Sequence, residues 1–282
     1  MKHIYLNLKR FDVPVCYGGV NRLAPVAEWG KTIVSQTQEA LKAYDPAEVD
    51  FTMYLPEAHL LNAVAARCED SPVKLGAQGV HCQDVAPGGN FGAFTTLRTA
   101  SAVKAMGCES VLIGHCEERK DKMFYFSYLG GMEQKKAAYV TNRVLSEEIC
   151  RAQERGLTVL YCIGETSEEQ PEWERVLGNQ LDVGLMDADL SKVVIAYEPV
   201  WSIGPGKTPA GKDYITKIAR FVKEKTGGLD VVYGGGLKKD NAPMLASIPE
   251  IDGGLIALTR FTGEIGFYPE EYLEIIRLYL GK

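Results

Sequence analysis

The chain of 282 residues is 46% hydrophobic and 24% charged, and its formal net charge is −6. This composition is typical of a soluble globular protein and excludes disordered, collagen-like and coiled-coil chains. The acidic balance, without a basic stripe, argues against nucleic acid as a partner. No stretch reaches the roughly 20 apolar residues of a membrane-spanning helix, and no signal peptide precedes the first apolar segment. We therefore expect a cytoplasmic protein that does not act at a membrane.

Short apolar segments rich in β-branched residues alternate with longer amphipathic segments along the whole chain. Strands composed almost entirely of apolar residues are typical of a parallel sheet covered by helices on its faces. The predicted strands are residues 4–9, 51–55, 73–78, 110–114, 158–163, 193–197, 230–233 and 254–258. The clearest amphipathic segments are residues 25–44, 134–155, 213–224 and 270–280.

Eight strand–helix units of roughly 35 residues each predict an α/β protein with one (β/α)8 barrel domain over residues 1–282. A doubly wound sheet is the alternative, but no Gly-x-Gly-x-x-Gly turn follows the first strand. Residues 121–132, which are rich in aromatic side chains, follow the fourth strand and are interpreted as an insertion. This insertion is either a loop that covers local apolar surface or a lid over the mouth of a site.

The seven cysteines and four histidines are scattered, without a Cys-x-x-Cys or His-x-x-x-His pair. An odd and scattered set of cysteines is a poor disulfide framework and a poor zinc site. We therefore predict no structural metal and interpret the cysteines as small buried side chains in a reducing compartment.

Polar side chains at the C-terminal ends of three strands indicate catalytic residues, because the active site of a (β/α)8 barrel lies at that end of the strands. The first strand ends with Asn7 and Lys9, which alternation places on the same side. His115 follows the fourth strand and Glu198 follows the sixth. This combination suits the removal of a proton next to a carbonyl group, with a carboxylate base and an enediolate held by Lys9 and His115.

Residues 204–209, which follow the Glu198 strand, are rich in glycine and proline. They do not form a phosphate-binding P-loop, because the pattern Gly-x-x-x-x-Gly-Lys-Thr would need glycine in place of Trp201. We interpret the segment as a flexible lid with glycine and proline hinges.

Several of these segments resemble signature motifs of the triosephosphate isomerase family, and the resemblance extends over essentially the whole chain. The most specific is Ala-Tyr-Glu-Pro-Val-Trp-Ser-Ile-Gly-Pro-Gly-Lys-Thr at residues 196–208, which is similar to the family's catalytic glutamate and lid. The others are Ile-Gly-His-Cys-Glu at 113–117, Asn-Leu-Lys at 7–9, Gly-Ala-Phe-Thr at 92–95 and Tyr-Gly-Gly at 233–235.

The resemblance implies an aldose–ketose isomerase of carbohydrate metabolism that acts on short sugar phosphates through a cis-enediolate. The expected pair is D-glyceraldehyde 3-phosphate and dihydroxyacetone phosphate, as in glycolysis. The resemblance makes Glu198 the base and His115 a neutral electrophile, as is known for this family. It implies that Lys9 stabilises negative charge, that Asn7 contacts substrate, and that Glu117 is the family's carboxylate beside the lysine.

The resemblance further implies that the reaction needs no metal and no organic cofactor. It makes the backbone N–H of Gly204 a phosphate contact when the lid closes, and it places Gly235 in the family's seventh-strand motif. The loop from Gly92 to Thr95 matches the family's dimer-contact loop, which implies a homodimer.

The phosphate end departs from the family's pattern. Gly236 stands where the family has serine, and Ala257 and Leu258 replace a Gly-Gly pair that exposes two backbone N–H groups. Glycine allows close approach of an anion, so Leu258 should crowd or shift this pocket. Arg260 is either a replacement anion contact or a rim charge paired with Glu264.

The fourth-strand motif also departs from the family, because Cys116 and Glu118 replace its serine and its first arginine. Since the proton-transfer residues are retained, the substrate is either the triose pair or a related one such as a four-carbon ketose phosphate (erythrulose phosphate). Two alternatives come from other functional classes. One is a lyase or aldolase with a Schiff base on Lys9, and the other is a non-catalytic binding barrel.

Overall fold

The computed structural model describes residues 1–129, 133–204 and 207–282. Within them, eight parallel strands form a closed barrel in which each strand pairs with the next and the last pairs with the first. This confirms the predicted (β/α)8 fold. The strands are β1 Lys2–Asn7, β2 Val49–Leu55, β3 Val73–Ala77, β4 Ser110–Ile113, β5 Thr158–Ile163, β6 Val193–Tyr197, β7 Val231–Tyr233 and β8 Gly253–Ile256.

Helices connect the strands and cover the outside of the barrel. They are α1 Trp29–Leu41, α2 Glu57–Ala66, α3 Ala100–Ala105, α4 Cys116–Ser127, α5 Gln134–Glu154, α6 Trp173–Gly184, α7 Lys212–Thr226, α8 Ala242–Ala246 and α9 Pro269–Leu280. Within the described ranges, no helix is long and apolar enough to span a lipid bilayer.

Alternate residues of each strand face two different cores. Ile4 and Leu6 of β1 point outward into the large core between strands and helices. Tyr5 points inward and packs in the barrel with Tyr54 and Leu112. This alternation follows from the two-residue period of a strand, and it explains why the strand segments are almost wholly apolar.

The first strand ends two residues earlier than predicted. Lys9 has a φ of 41°, so the backbone there has left the extended region. Its N–H donates to the side chain of Asn7 at 3.1 Å instead of continuing the ladder. The eighth strand likewise ends at Ile256 and not at residue 258.

The aromatic segment after β4 is a helix and not the expected loop. His115 caps the first turn of α4, which runs through residue 127. Phe124, Tyr125 and Tyr128 are 54%, 63% and 74% exposed, so these rings do not cover apolar surface as expected. Phe124 instead packs edge-to-face on the other two rings. The end of the predicted insertion, residues 130–132, lies outside the described residues, and the insertion itself stays a prediction.

Candidate active site

Glu198 lies just beyond β6, where two glycines make room for it. Its N–H donates to the carbonyl of Ile163 at 2.8 Å, which fixes its backbone against β5. A Cβ atom at Gly164 would clash with the carbonyl oxygen of Glu198, and one at Gly234 would lie 2.7 Å from its Cγ. Glycines immediately after both neighbouring strands, β5 and β7, are therefore needed to place this side chain at the mouth of the barrel.

Glu198 is only 2% exposed, and its carboxylate is in contact with polar groups of the protein. Its Oε1 lies 3.1 Å from His115 Nε2, and its Oε2 accepts the Cys116 N–H at 2.9 Å. Burial raises the pKa of Glu198, and His115, the Cys116 N–H and Lys9 oppose that rise. The result is a carboxylate that is a stronger base than an exposed glutamate.

His115 stands at the N-terminus of α4 with a defined tautomer. Its Nδ1 accepts the N–H of Glu117 at 3.2 Å, so Nδ1 carries no proton. The proton of the neutral ring is then on Nε2, which faces Glu198. This arrangement presents an N–H donor and a carboxylate base side by side.

Lys9 and Asn7 are held together by a glutamine that the sequence analysis did not single out. Asn7 Oδ1 accepts hydrogen bonds from the Lys9 N–H and from Gln78 Nε2, each at 3.1 Å. Gln78 also donates to the carbonyls of Lys9 and Tyr54 at 3.3 and 3.2 Å. These contacts stabilise the left-handed backbone of Lys9, which is the kind of strain found at functional sites.

Glu117 links the lysine to the histidine. Its Oε1 accepts from Lys9 Nζ at 2.8 Å, and its Oε2 lies 3.7 Å from His115 Nδ1. Partial burial would raise the pKa of Glu117, but the Lys9 ammonium keeps it below its usual range. Contacts thus join Lys9, Glu117, His115 and Glu198 into one cluster.

Cys116 lies against this cluster with its thiol 3.8 Å from His115 Nδ1. Burial, followed by the nearby Glu198, raises the pKa of the Cys116 thiol to about 12. The thiol is therefore protonated at neutral pH and is not a nucleophile. Donor atoms of His115, Cys116 and Glu198 lie within 4.8 Å of one another and form a potential three-ligand metal set. The 3.1 Å contact between His115 Nε2 and Glu198 Oε1 accounts for the approach of these two residues without a metal, and the absence of a metal stays a prediction.

The two residues after Glu117 fix the turn between β4 and α4. Arg119 donates to the carbonyls of Gly114 and Cys162 at 2.7 and 2.9 Å, and thereby ties this turn to β5. Glu118 accepts the N–H of Gly114 at 2.6 Å and the Lys122 ammonium at 2.8 Å. The glutamate at position 118 thus makes local contacts in place of the family's arginine.

Glu165, a second residue that the sequence analysis missed, anchors the segment that precedes the predicted lid. Its fully buried Oε1 accepts hydrogen bonds from Trp201 Nε1, Tyr197 OH and Tyr214 OH at 2.8, 2.9 and 3.0 Å. Burial raises the pKa of Glu165 despite these donors. Gly204 follows with a φ of 118° and open space around it, and residues 205–206 of the predicted lid lie outside the described residues.

The predicted phosphate-binding residues include Gly235, Gly236 and Leu258. The backbone N–H groups of both glycines have no hydrogen-bond acceptor within the described chain. Leu258 is half-buried just beyond β8. Arg260 donates to Glu271 at 2.7 and 2.8 Å and lies 3.8 Å from the centre of the Tyr268 ring.

The expected alternative pairing of Arg260 with Glu264 is therefore wrong. A short hairpin after β8 pairs Arg260 with Gly266, and Glu264 lies instead 3.8 Å from Arg22. This hairpin turns the backbone so that the Arg260 guanidinium meets α9, which carries Glu271.

The chain is similar to known proteins over most of its length. The family model described as triosephosphate isomerase matches residues 27–276. The chain belongs to the triosephosphate isomerase family. A triosephosphate isomerase of Herminiimonas arsenicoxydans is 31% identical over 240 residues, which cover 81% of this chain and 85% of that protein. One of Cytophaga hutchinsonii is 30% identical over 265 residues, which cover 89% and 94%.

Among solved structures, the crystal structure of triosephosphate isomerase from Bartonella henselae covers 99% of both chains with a TM-score of 0.71. The two sequences are 22% identical, so this structural similarity shows only that the two chains share the barrel fold.

Proposed function

We propose that this protein is an aldose–ketose isomerase that interconverts short sugar phosphates through a cis-enediolate. The observation that carries the proposal is the buried pair of Glu198 and His115, whose Oε1 and Nε2 are 3.1 Å apart beside Lys9. Proton transfer between adjacent carbons needs a base at carbon and a donor at oxygen, and this pair supplies both.

In the proposed reaction, the Glu198 carboxylate removes a proton from the carbon next to the carbonyl. His115 Nε2–H supplies a hydrogen bond or proton to the carbonyl oxygen, and the Lys9 ammonium stabilises the negative charge that develops there. Glu198 then returns the proton to the neighbouring carbon, while His115 moves the other proton between the two oxygens. The net change is an aldose converted to its ketose, with no atom gained or lost.

As substrate we propose the pair D-glyceraldehyde 3-phosphate and dihydroxyacetone phosphate, since the relatives are named triosephosphate isomerase. A four-carbon ketose phosphate is the second candidate. It is favoured by Gly236, Leu258 and the hairpin after β8, which alter the phosphate end only. A Schiff-base lyase is disfavoured because the Lys9 ammonium is ion-paired with Glu117 at 2.8 Å, and an ion-paired ammonium is not a nucleophile.

We also propose a cytoplasmic homodimer formed through the loop from Gly92 to Thr95. This loop is exposed. A cavity of about 530 Å³ lies beside the site and is lined by Asn7, Lys9 and Glu117 together with Lys122. The same loop of a second copy, inserted there, would complete the wall of the active site.

The proposal is tested by supplying dihydroxyacetone phosphate and, separately, erythrulose phosphates, with aldose formation followed by NMR. Turnover of the triose phosphate supports the first candidate. Turnover of the four-carbon substrate without activity on the triose phosphate supports the second. Silence on both substrates contradicts the proposed isomerase. Reduction with borohydride in the presence of substrate separates the lyase, because only a Schiff base would be trapped on Lys9.

A further inference from the structure

Lys238 lies between the loops that follow β7 and β8. Its Cε would be 3.2 Å from a Cβ atom at Gly236, so the side chain runs along this glycine. The segment is fixed by hydrogen bonds from the Leu237 N–H to Leu255 at 3.0 Å and from the Lys238 N–H to Asn241 Oδ1 at 2.8 Å. The side chain therefore starts from a rigid position at the mouth of the barrel.

The ammonium of Lys238 is available for an anion. Within the described ranges it forms no ion pair, and its Nζ lies 4.1 Å from the centre of the Phe261 ring in the hairpin after β8. The side chain is half-buried, and burial lowers the pKa of Lys238 against the opposing effect of Asp240. The neighbouring Lys239, by contrast, pairs with Glu274 at 2.5 Å.

The distance from the base suits a small substrate. Gly234 packs directly on Glu198, and Gly236 lies two residues further along, which is at most about 7 Å between Cα atoms. Along the chain, Gly235 and Gly236 lie between Gly234 and Lys238, and their N–H groups have no hydrogen-bond acceptor within the described residues. A short sugar phosphate with its reacting carbons at Glu198 would direct its phosphate to this region.

We propose that Lys238 binds the phosphate group of the substrate, together with the backbone N–H groups of Gly235 and Gly236. A cation and convergent N–H groups form the type of site that holds a phosphate dianion. The ammonium would take the place of two anion-binding features of the family, the serine at position 236 and the Gly-Gly pair after β8. The inference rests on the proposed function only in taking the ligand to be a phosphate ester.

The test compares Lys238→Met, which keeps the aliphatic stem, with Lys239→Met as the matched control and Lys238→Arg as the charge-retaining variant. Binding of inorganic phosphate is measured by calorimetry, and KM and kcat are measured with the best substrate. We expect Lys238→Met to weaken phosphate binding and to raise KM by roughly 10-fold or more, because the variant cannot form the charged hydrogen bond. Lys239→Met should match wild type, Lys238→Arg should lie between, and kcat should change less than KM.

Equal phosphate affinity and KM in wild type and Lys238→Met would overturn the inference, as would wild-type protein without saturable phosphate binding. Circular dichroism shows whether each variant is folded. If Lys238→Met does not fold, the phosphate affinity and KM of Lys238→Arg are compared with those of wild type instead. Failure of the proposed function is distinguishable, since phosphate binding that depends on Lys238 in a protein inactive on every sugar phosphate would refute the isomerase alone.

Discussion

At the scale of single residues, the environment of Glu198 sets its reactivity. The side chain is buried, but its Oε2 accepts the Cys116 N–H and its Oε1 lies 3.1 Å from His115 Nε2, and these polar contacts stabilise the ionised carboxylate. Its position is fixed from the backbone by β5 and from the side by Gly234. Such a base should tolerate little displacement from the carbon that it deprotonates.

Shortening this side chain is therefore expected to impair the chemical step. Glu198→Asp retracts the carboxylate by about 1.5 Å, the length of one C–C bond. We expect kcat to fall about 100-fold or more with an unchanged circular dichroism spectrum, because a misplacement of this size disrupts the reacting geometry. Steady-state kinetics measure the effect, and near-normal turnover would refute Glu198 as the base.

The pH dependence of the reaction should report the raised pKa of Glu198. The base acts only when deprotonated, so kcat/KM is expected to be full above this pKa and to fall as the pH drops through it. Because burial raises the pKa of Glu198, the midpoint of this fall in kcat/KM should lie above pH 4.5, the ordinary pKa of glutamate. A pH profile of kcat/KM measures it, and an acid limb at or below 4.5 would contradict the assignment.

Sequence alone indicated Asn7, Lys9, His115 and Glu198, because strand ends of a barrel meet and the motifs are specific. It could not indicate Gln78 or Glu165. Gln78 contacts Asn7 across 71 residues of sequence, and such a contact exists only once the barrel closes.

At the scale of secondary-structure elements, the N-terminal ends of β1, β2 and β7 meet in a polar network opposite the active site. His3 Nε2 lies 2.8 Å from Asp230, and the Tyr5 hydroxyl donates to Asp50 at 2.9 Å. Burial would raise the pKa of Asp50, but His3 and the ion pair with Lys74 hold it at about 2. The contacts of Asp50 with His3, Tyr5 and Lys74 thus stabilise this end of the barrel most strongly when Asp50 is ionised.

Asp50→Asn is expected to lower the free energy of unfolding at pH 7 by about 2 kcal/mol. The stabilisation exists above the unfolded-state pKa near 3.8 and is lost as the pH falls toward 2, so the two proteins should converge in acid. Urea unfolding at several pH values measures this. Asp182→Asn, which removes an exposed ion pair with Lys225, is the control and should cost less than about 1 kcal/mol. A constant difference between wild type and Asp50→Asn down to pH 2 would refute the interpretation.

Strand positions followed from the sequence because apolar runs mark them, and β5 and β6 have the predicted bounds. The ends of β1 and β8 could not be predicted from the sequence, because they depend on the left-handed backbone of Lys9 and on the hairpin that pairs Arg260 with Gly266. Both features depend on tertiary contacts of the backbone, which the periodicity of apolar residues does not predict.

At the scale of the whole molecule, the eightfold pattern of apolar segments predicted the closed barrel. The exposed loop from Gly92 to Thr95 and the cavity beside Lys9 support the proposed dimer. A cavity that shares its wall with the catalytic cluster would couple assembly to activity.

We expect Thr95→Arg to convert a dimeric wild type into a monomer with reduced kcat, because the long arginine side chain is too large for the space that threonine would occupy in the partner's cavity. Light scattering coupled to size exclusion measures the mass. Leu278→Arg, at an exposed position on the distant α9, serves as control and should remain dimeric. A wild type that is monomeric at micromolar concentrations would contradict the proposed dimer.

Proton transfer by Glu198 is tested most directly by hydrogen exchange in D₂O. Wild type, Glu198→Gln and the exposed control Glu224→Gln are incubated with dihydroxyacetone phosphate or an erythrulose phosphate and followed by NMR. Wild type and Glu224→Gln should incorporate deuterium at one hydrogen position of a carbon next to the carbonyl, and Glu198→Gln should incorporate essentially none. Exchange in Glu198→Gln at the wild-type rate, or no exchange in wild type on any of these substrates, would contradict proton transfer by Glu198.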